Sequence, residues 1–269
     1  MPEVWDSGSA YERYVGRWSR LVAERFIEWL DAPPGASWLD VGCGTGALSA
    51  QIAASTAPSR VEGIDPSAAF IEQASTRLTG PIFSFQVGDA LELPHPDSTF
   101  DLVASALVLT FLPDASRGVG EMVRVTKPGG TVASYVWDYA GKMQMMRYFW
   151  DVAVELYPSA RAAHEGLRFT LAQPEELAAL FEEAGLADVA TTPLEIRTRF
   201  ADFDDYWQPF LGGQGPAPGY VGSLGEDERS RLRLALKERL PTGKDGSIDL
   251  IARAWAVRGV RRAAALADA

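Results

Sequence analysis

Two hydrophobic rhythms alternate along the first half of the chain. Short apolar runs, Trp38-Leu39-Asp40-Val41, Val61-Glu62-Gly63-Ile64 and Ile82-Phe83-Ser84-Phe85-Gln86-Val87, have the length and composition of buried strands, and two longer ones at residues 100–112 and 130–137 continue the series. Between them apolar positions recur at helical spacing. Leu21, Val22, Phe26, Trp29 and Leu30 form a stripe that stops before Pro33-Pro34-Gly35, and residues 47–53 form a second. Phe70, Ile71, Ala74 and Leu78 form a third, opened by Ser67 as a cap, and Pro113-Asp114-Ala115 opens a fourth that runs to Val125. Strand and helix in alternation predict an α/β fold with a parallel sheet, whose strands deliver their C-terminal ends to one side.

The second half is less regular. From Asp138 to Leu171 the apolar residues, among them Met143, Met145, Met146, Phe149 and Trp150, cover more than one helix face, which predicts an insertion capping the sheet edge. Gln173-Pro174-Glu175-Glu176 opens an amphipathic scaffold helix that Gly185 stops. Residues 194–200 alternate as a half-exposed strand, with residues 247–257 as partner. Between them stand Tyr206, Trp207 and Phe210, a loop rich in glycine and proline over 212–219, and a charged helix from about Glu226 to Leu240. The aromatic cluster and its loop read either as a movable cover for an acceptor pocket or as ordinary surface packing.

Chemistry enters at Asp40-Val41-Gly42-Cys43-Gly44-Thr45-Gly46, where an apolar run breaks into three alternating glycines and then a helix. Glycines suit a sharp turn that a ligand approaches closely, and the helix behind them offers unpaired N–H groups and a positive dipole end. The second strand ends in Asp65, about twenty residues on, where a carboxylate can take a ribose diol. These features fit a nicotinamide dinucleotide or S-adenosylmethionine.

The series Leu39-Asp40-Val41-Gly42-Cys43-Gly44-Thr45-Gly46, Gly63-Ile64-Asp65-Pro66-Ser67, Gly88-Asp89-Ala90 and Lys127-Pro128-Gly129-Gly130 resembles the motifs of class I S-adenosylmethionine-dependent methyltransferases of the small-molecule, UbiE-like kind. The resemblance implies a Rossmann-like, seven-stranded, mostly parallel sheet with helices on both faces, closed by an antiparallel pair. It implies one domain: an N-terminal helical lid at 1–35, a cofactor core at 36–137, and cap insertions at 138–171 and 201–241. S-adenosylmethionine would contact Asp40, Gly42, Cys43, Gly44, Gly46, Asp65, Pro66, Asp89, Ala90, Ser105 and Ala106, leaving S-adenosylhomocysteine as product. Tyr14 and Arg17, beside Tyr11 and Trp18, would close over it, with Arg17 on the methionine carboxylate; the alternative is an aromatic anchor that docks the N-terminus. Residues 105–108 lack the Pro-Pro-Tyr-like element of enzymes that methylate adenine or glutamine nitrogens, which counts against those substrates.

Composition narrows the remainder. A net charge of −11 disfavours nucleic acid as a partner, and one cysteine with two histidines makes neither an internal disulfide nor a Cys/His zinc site. No run is long enough to span a membrane and no leader pattern opens the chain, so a cytoplasmic monomer or homodimer without a metal is expected. Methyl transfer needs alignment and exclusion of water more than a dedicated base. Should a base be needed, Tyr139, His164, Tyr14 and Asp138 are the candidates; His95, between two prolines, reads as structural. The expected activity is methylation of a small, largely apolar acceptor at oxygen, nitrogen or carbon. A nicotinamide-dependent oxidoreductase and a non-catalytic binder of S-adenosylmethionine are the alternatives.

Overall fold

The computed structural model describes residues 16–212 and 215–263. Tyr11, Tyr14 and the rest of residues 1–15 of the expected lid lie outside them. Helix α1 (Arg17–Leu30) leads into β1 (Ser37–Val41), α2 (Ala47–Thr56), β2 (Arg60–Asp65), α3 (Ala68–Arg77), β3 (Phe83–Val87), β4 (Phe100–Ala106), α4 (Ala115–Val125) and β5 (Thr126–Trp137). There follow α5 (Gln144–Leu156), the single turn α6 (Glu165–Arg168), α7 (Pro174–Glu183), β6 (Leu186–Phe200), α8 (Phe203–Trp207), α9 (Pro216–Ser223), α10 (Glu226–Arg239) and β7 (Ile248–Arg261).

The seven strands form one sheet in the order β3-β2-β1-β4-β5-β7-β6. β1 pairs in parallel with both β2 and β4, while β7 runs antiparallel to β5 and β6. Strand order therefore reverses between β1 and β4, and the crevice at their C-terminal ends is where such a sheet receives ligands. Alternation divides the core. Trp38, Leu102, Ala104, Tyr135 and Trp137 pack with Val22 and Phe26 of α1 on one face, and Leu39, Val41, Val103, Val132 and Val136 pack with Met122 and Phe181 on the other.

The run at 100–112, expected as a strand leading into a loop, is β4 to Ala106, a left-handed Leu107 with φ of 63° and a short 3-10 helix at Leu109–Phe111. Two sequence expectations change. The glycine- and proline-rich loop is largely α9, whose first helical residue, Pro216, has no amide to waste where the helix leaves its first amides unbonded. Tyr206, Trp207 and Phe210 are buried staples rather than a movable cover. Phe210 stacks on Phe149 of α5 at 4.6 Å, and the Tyr206 hydroxyl donates to the Met145 carbonyl at 2.8 Å.

The segment after β5 is held by Asp138, which is buried and takes the backbone N–H groups of Gly141 and Lys142, both at 2.8 Å, and Nε of Arg253 on β7 at 2.7 Å. Asp138 is thus occupied as a staple and does not line the cavity described below.

Candidate active site

At the tip of β1 the backbone reverses through Gly42, Gly44 and Gly46 with φ of 74°, 52° and 83°. The amides of Gly42 and Cys43 both donate to the Ile64 carbonyl, at 2.7 and 2.9 Å, which pins the loop to β2. A Cβ on Gly42 would lie 2.4 Å from Val108, whereas one on Gly44 would meet nothing within 4 Å. Gly42 is needed for packing, and Gly44 faces open space. α2 then starts at Ala47 with no side-chain cap on its first amides.

A cavity of about 500 Å³ opens over this loop. Of the expected contact residues, Asp40, Gly42, Cys43, Gly44, Asp65, Pro66, Asp89, Ala90 and Ala106 line it, as does Tyr139. Gly46, Ser105, Arg17 and His164 do not. Gly46 shapes the turn, where a Cβ would sit 2.8 Å from Leu78. Ser105 points to the opposite face from Ala106 and ties strands together: its hydroxyl donates to the Val41 carbonyl at 2.9 Å and its carbonyl accepts from Ser134 at 2.7 Å. Arg17 pairs with Asp205 at 2.9 Å and lies over the Trp18 and Phe200 rings, so α1 reaches the cavity through Ser19 instead. His164 caps α6, its Nδ1 accepting the Gly166 amide at 3.0 Å, and burial lowers its pKa. His95 lies away from the cavity, edge-on to Phe100 at 5.0 Å.

The carboxylates differ in environment. Asp65 is 7% exposed, and its two oxygens accept the amides of Gly44 and Ser67, each at 2.9 Å; burial raises its pKa against the pull of those bonds. Asp40 is completely buried. Its Oδ2 accepts from the Ser49 hydroxyl at 2.7 Å, while Oδ1 has no hydrogen-bond partner among the described residues. Loss of hydration pushes its pKa up to about 7, and the charge of Asp65 adds to the shift. Asp89 is exposed at the rim and accepts the Leu91 amide at 2.9 Å. Burial also pushes the Cys43 thiol well above its ordinary range, so it does not act as a thiolate nucleophile.

The cavity is also lined by the apolar and aromatic residues Leu107, Val108, Phe111, Leu112, Trp137, Tyr139 and Met146. Glu165, 2% exposed, lies in the same wall. The sequence reading passed over it in favour of its neighbour His164, and no motif or period around it marks it. Among the described residues, no group of three or more His, Cys, Asp or Glu side chains is arranged to hold a metal. No helix among them is long and apolar enough to cross a membrane.

Comparison with known proteins bears on the donor. A family model described as a methyltransferase domain matches residues 39–134. The chain is 30% identical over 195 residues to a demethylmenaquinone methyltransferase of Desulfitobacterium hafniense, an alignment that spans 61% of this chain and 71% of that protein. It is 34% identical over 187 residues to the 2-methyl-6-phytyl-1,4-hydroquinone methyltransferase of Synechocystis, covering 68% of this chain and 57% of the relative. The crystal structure of the YcgJ protein from Bacillus subtilis shares the fold, with a TM-score of 0.59 at 18% identity over 90% of this chain and 99% of that one. Matches to methyltransferases over the glycine loop and the acidic strand ends decide between the two donor chemistries that the sequence left open. The chain belongs to the class I S-adenosylmethionine-dependent methyltransferases.

Proposed function

We infer that the protein transfers the methyl group of S-adenosylmethionine to a small, largely apolar, ring-bearing acceptor that sits at the Phe111, Trp137, Tyr139 and Met146 end of the cavity. The observation that carries this reading is a single cavity lined both by the glycine loop with Asp40 and Asp65 and by Phe111, Trp137, Tyr139 and Met146. The names of the relatives, which act on demethylmenaquinone and on a substituted hydroquinone, support the same acceptor class.

The residues fit the cofactor. Gly44 leaves room where a side chain would intrude, the start of α2 offers amides without side-chain caps, and Asp40, in the same wall, holds an oxygen with no hydrogen-bond partner among the described residues. In this reading Asp65 holds the ribose, Asp89 and the Ala90 backbone meet the adenine, and Gly42, Cys43 and Gly44 line the methionine portion. Pro66 and Ala106 supply apolar contact. Bound S-adenosylmethionine supplies a methyl already activated by its sulfonium. The chain's part is to hold donor and acceptor in line about 3–3.5 Å apart and to keep water out. α1 closes one side through Ser19 and the 138–171 insertion closes the other through Tyr139, Met146 and Glu165, whereas no described residue of the 201–241 insertion lines the cavity. One buried thiol and no membrane-crossing helix among the described residues fit work in the cytoplasm.

Thermal unfolding with S-adenosylhomocysteine and with NADH tests the donor. The first should raise the Tm through binding to the native state and the second should not. Incubation with tritiated-methyl donor and a panel of alkylated hydroquinones, phenols and anilines, alongside polar, non-aromatic alcohols and amines, tests the acceptor class. Label transferred only to polar, non-aromatic compounds would refute it.

A further inference from the structure

We propose that the outer edge of β6 is a docking surface for a second copy of this chain, the two β6 strands pairing antiparallel about Ile196 so that one sheet continues across a homodimer. The proposal is independent of the donor and acceptor readings, since none of the residues lining the cavity belongs to β6 or β7. β6 is the last strand of the sheet and runs for 15 residues, where a mean strand has about 5–6. Over its second half Leu194, Ile196, Thr198 and Phe200 are buried, while Glu195, Arg197 and Arg199 are exposed.

The direction of its backbone groups follows from its neighbour. Residues facing each other in an antiparallel pair alternate between exchanging both backbone hydrogen bonds and exchanging none. Arg253, opposite Glu195, donates its N–H to the Lys142 carbonyl at 3.2 Å, and its own carbonyl accepts the Asp138 amide at 2.9 Å. Ile251, opposite Arg197, donates its N–H to Oε1 of Gln144 at 2.6 Å. Both turn their backbone groups away from β6. Glu195 and Arg197, and by alternation Pro193 and Arg199, therefore turn theirs away from β7, to the side where no further strand lies among the described residues. Bulges and prolines are the usual guards of such an edge. In β6 the bulge, between Ala187 and Ala190, and Pro193 both precede Leu194, which leaves 194–200 open.

Charge names the occupant. Pairing about Ile196 sets Glu195 of each copy opposite Arg197 of the other, two attractive cross-strand pairs with no like charges directly opposed. Pairing about Glu195 or Arg197 sets each against itself, and pairing about Thr198 sets Arg197 against Arg199. Pairing about Leu194 leaves Glu195 facing Pro193. One register is favoured, and because a single strand supplies both signs, its complement is a copy of itself. Pro193 then falls opposite Arg199, and its missing N–H ends the ladder. The contact is isologous, the form of the commonest homodimers.

Sedimentation of the full chain over a concentration series should show a monomer–dimer equilibrium. Arg197→Glu should weaken the dimer at least about tenfold by turning two attractions into two repulsions, whereas Arg197→Lys, which keeps the charge, should leave it nearly unchanged. Arg197→Pro should weaken it about tenfold to a hundredfold by removing one outward N–H from each copy. That N–H makes no bond to β7, so all three variants should keep the wild-type affinity for S-adenosylhomocysteine. Hydrogen exchange should be slow at the amides of Glu195, Arg197 and Arg199 in the dimer and fast once dilution gives the monomer. A wild type that stays monomeric, a dimer that Arg197→Glu and Arg197→Pro leave intact, or equal exchange at those amides in dimer and monomer overturns the proposal. Slow exchange there in a monomer would assign the edge to another segment of the same chain and overturns it as well.

Discussion

Replacing Asp40 with asparagine should make the cofactor-free protein more stable above neutral pH and less stable in acid. An unfolded aspartate ionises near 3.8, while folded Asp40 is pushed up to about 7 by complete burial. Between those values the folded state keeps a proton that the unfolded chain has released. Asp40 therefore favours folding fully below pH 3.8, and its contribution is lost as pH rises through 7. A shift of about three units, at about 1.36 kcal/mol each, sets an upper bound of roughly 4 kcal/mol against the ionised residue at about pH 8. Asparagine removes that penalty and keeps an acceptor for Ser49, but it places an amide N–H₂ where Oδ1 has no hydrogen-bond partner among the described residues. An unsatisfied buried amide costs about 1–3 kcal/mol. The ionisation effect wins at pH 8, for a net gain of about 1–3 kcal/mol; the two effects balance near pH 5, and the amide penalty alone remains below about pH 4. Urea unfolding of both proteins without cofactor, at about pH 4.5, 6 and 8, measures the difference. A variant less stable at pH 8, or a gap that does not move with pH, would show that Asp40 is not the buried charge described here. Saturating S-adenosylhomocysteine should stabilise the wild type more than the variant if Asp40 serves the cofactor, so the stability gain would be bought with affinity.

Asp65→Ala should weaken S-adenosylhomocysteine binding by about 1–3 kcal/mol, roughly tenfold to a hundredfold in Kd by calorimetry, through loss of a charged hydrogen-bond acceptor; an unchanged Kd would move the ribose contact elsewhere. Arg17→Ala should lower stability by about 1 kcal/mol, because it breaks a half-exposed ion pair and a stack on Phe200, while leaving the same Kd within about twofold; a large affinity loss would restore Arg17 to the cofactor. Ser105→Ala should cost about 1 kcal/mol in chemical denaturation by removing the bond to Val41, again without changing Kd by more than about twofold.

What was legible in the sequence was local. Gly42 and Gly44 carry positive φ, and Asp65 and Asp89 stand at or just past the ends of β2 and β3, so a short run of residues encodes both the turn and the group it presents. Parallel pairing then brings those strand ends together without further information. Ser105 lies in the strand core, a position that period-two alternation, which sets it with Val103 and against Ala104 and Ala106, already contains. Arg17 pairs with Asp205, which is 188 residues away and belongs to a helix that no motif announces, so the sequence could not show that contact. Glu165 escaped because its position depends on how an irregular insertion folds back on Tyr139, and composition alone does not record that.

The two ends of the cavity are fastened independently. At the donor end, Asp65 ties the glycine loop to the start of α3 through the amides of Gly44 and Ser67, contacts that span 21 and 2 residues. At the acceptor end, Asp138 ties the post-β5 turn to Arg253, 115 residues along the chain, and Trp150 ties α5 to Glu165. The ends share Tyr135 and Trp137 of β5, whose side chains line the cavity and face the same side of the sheet. Substitutions in the 138–171 insertion can therefore reshape the acceptor walls while the donor loop keeps its own hydrogen bonds, and changes at β5 reach both. With one fold serving many acceptors, specificity is expected to reside in the insertion.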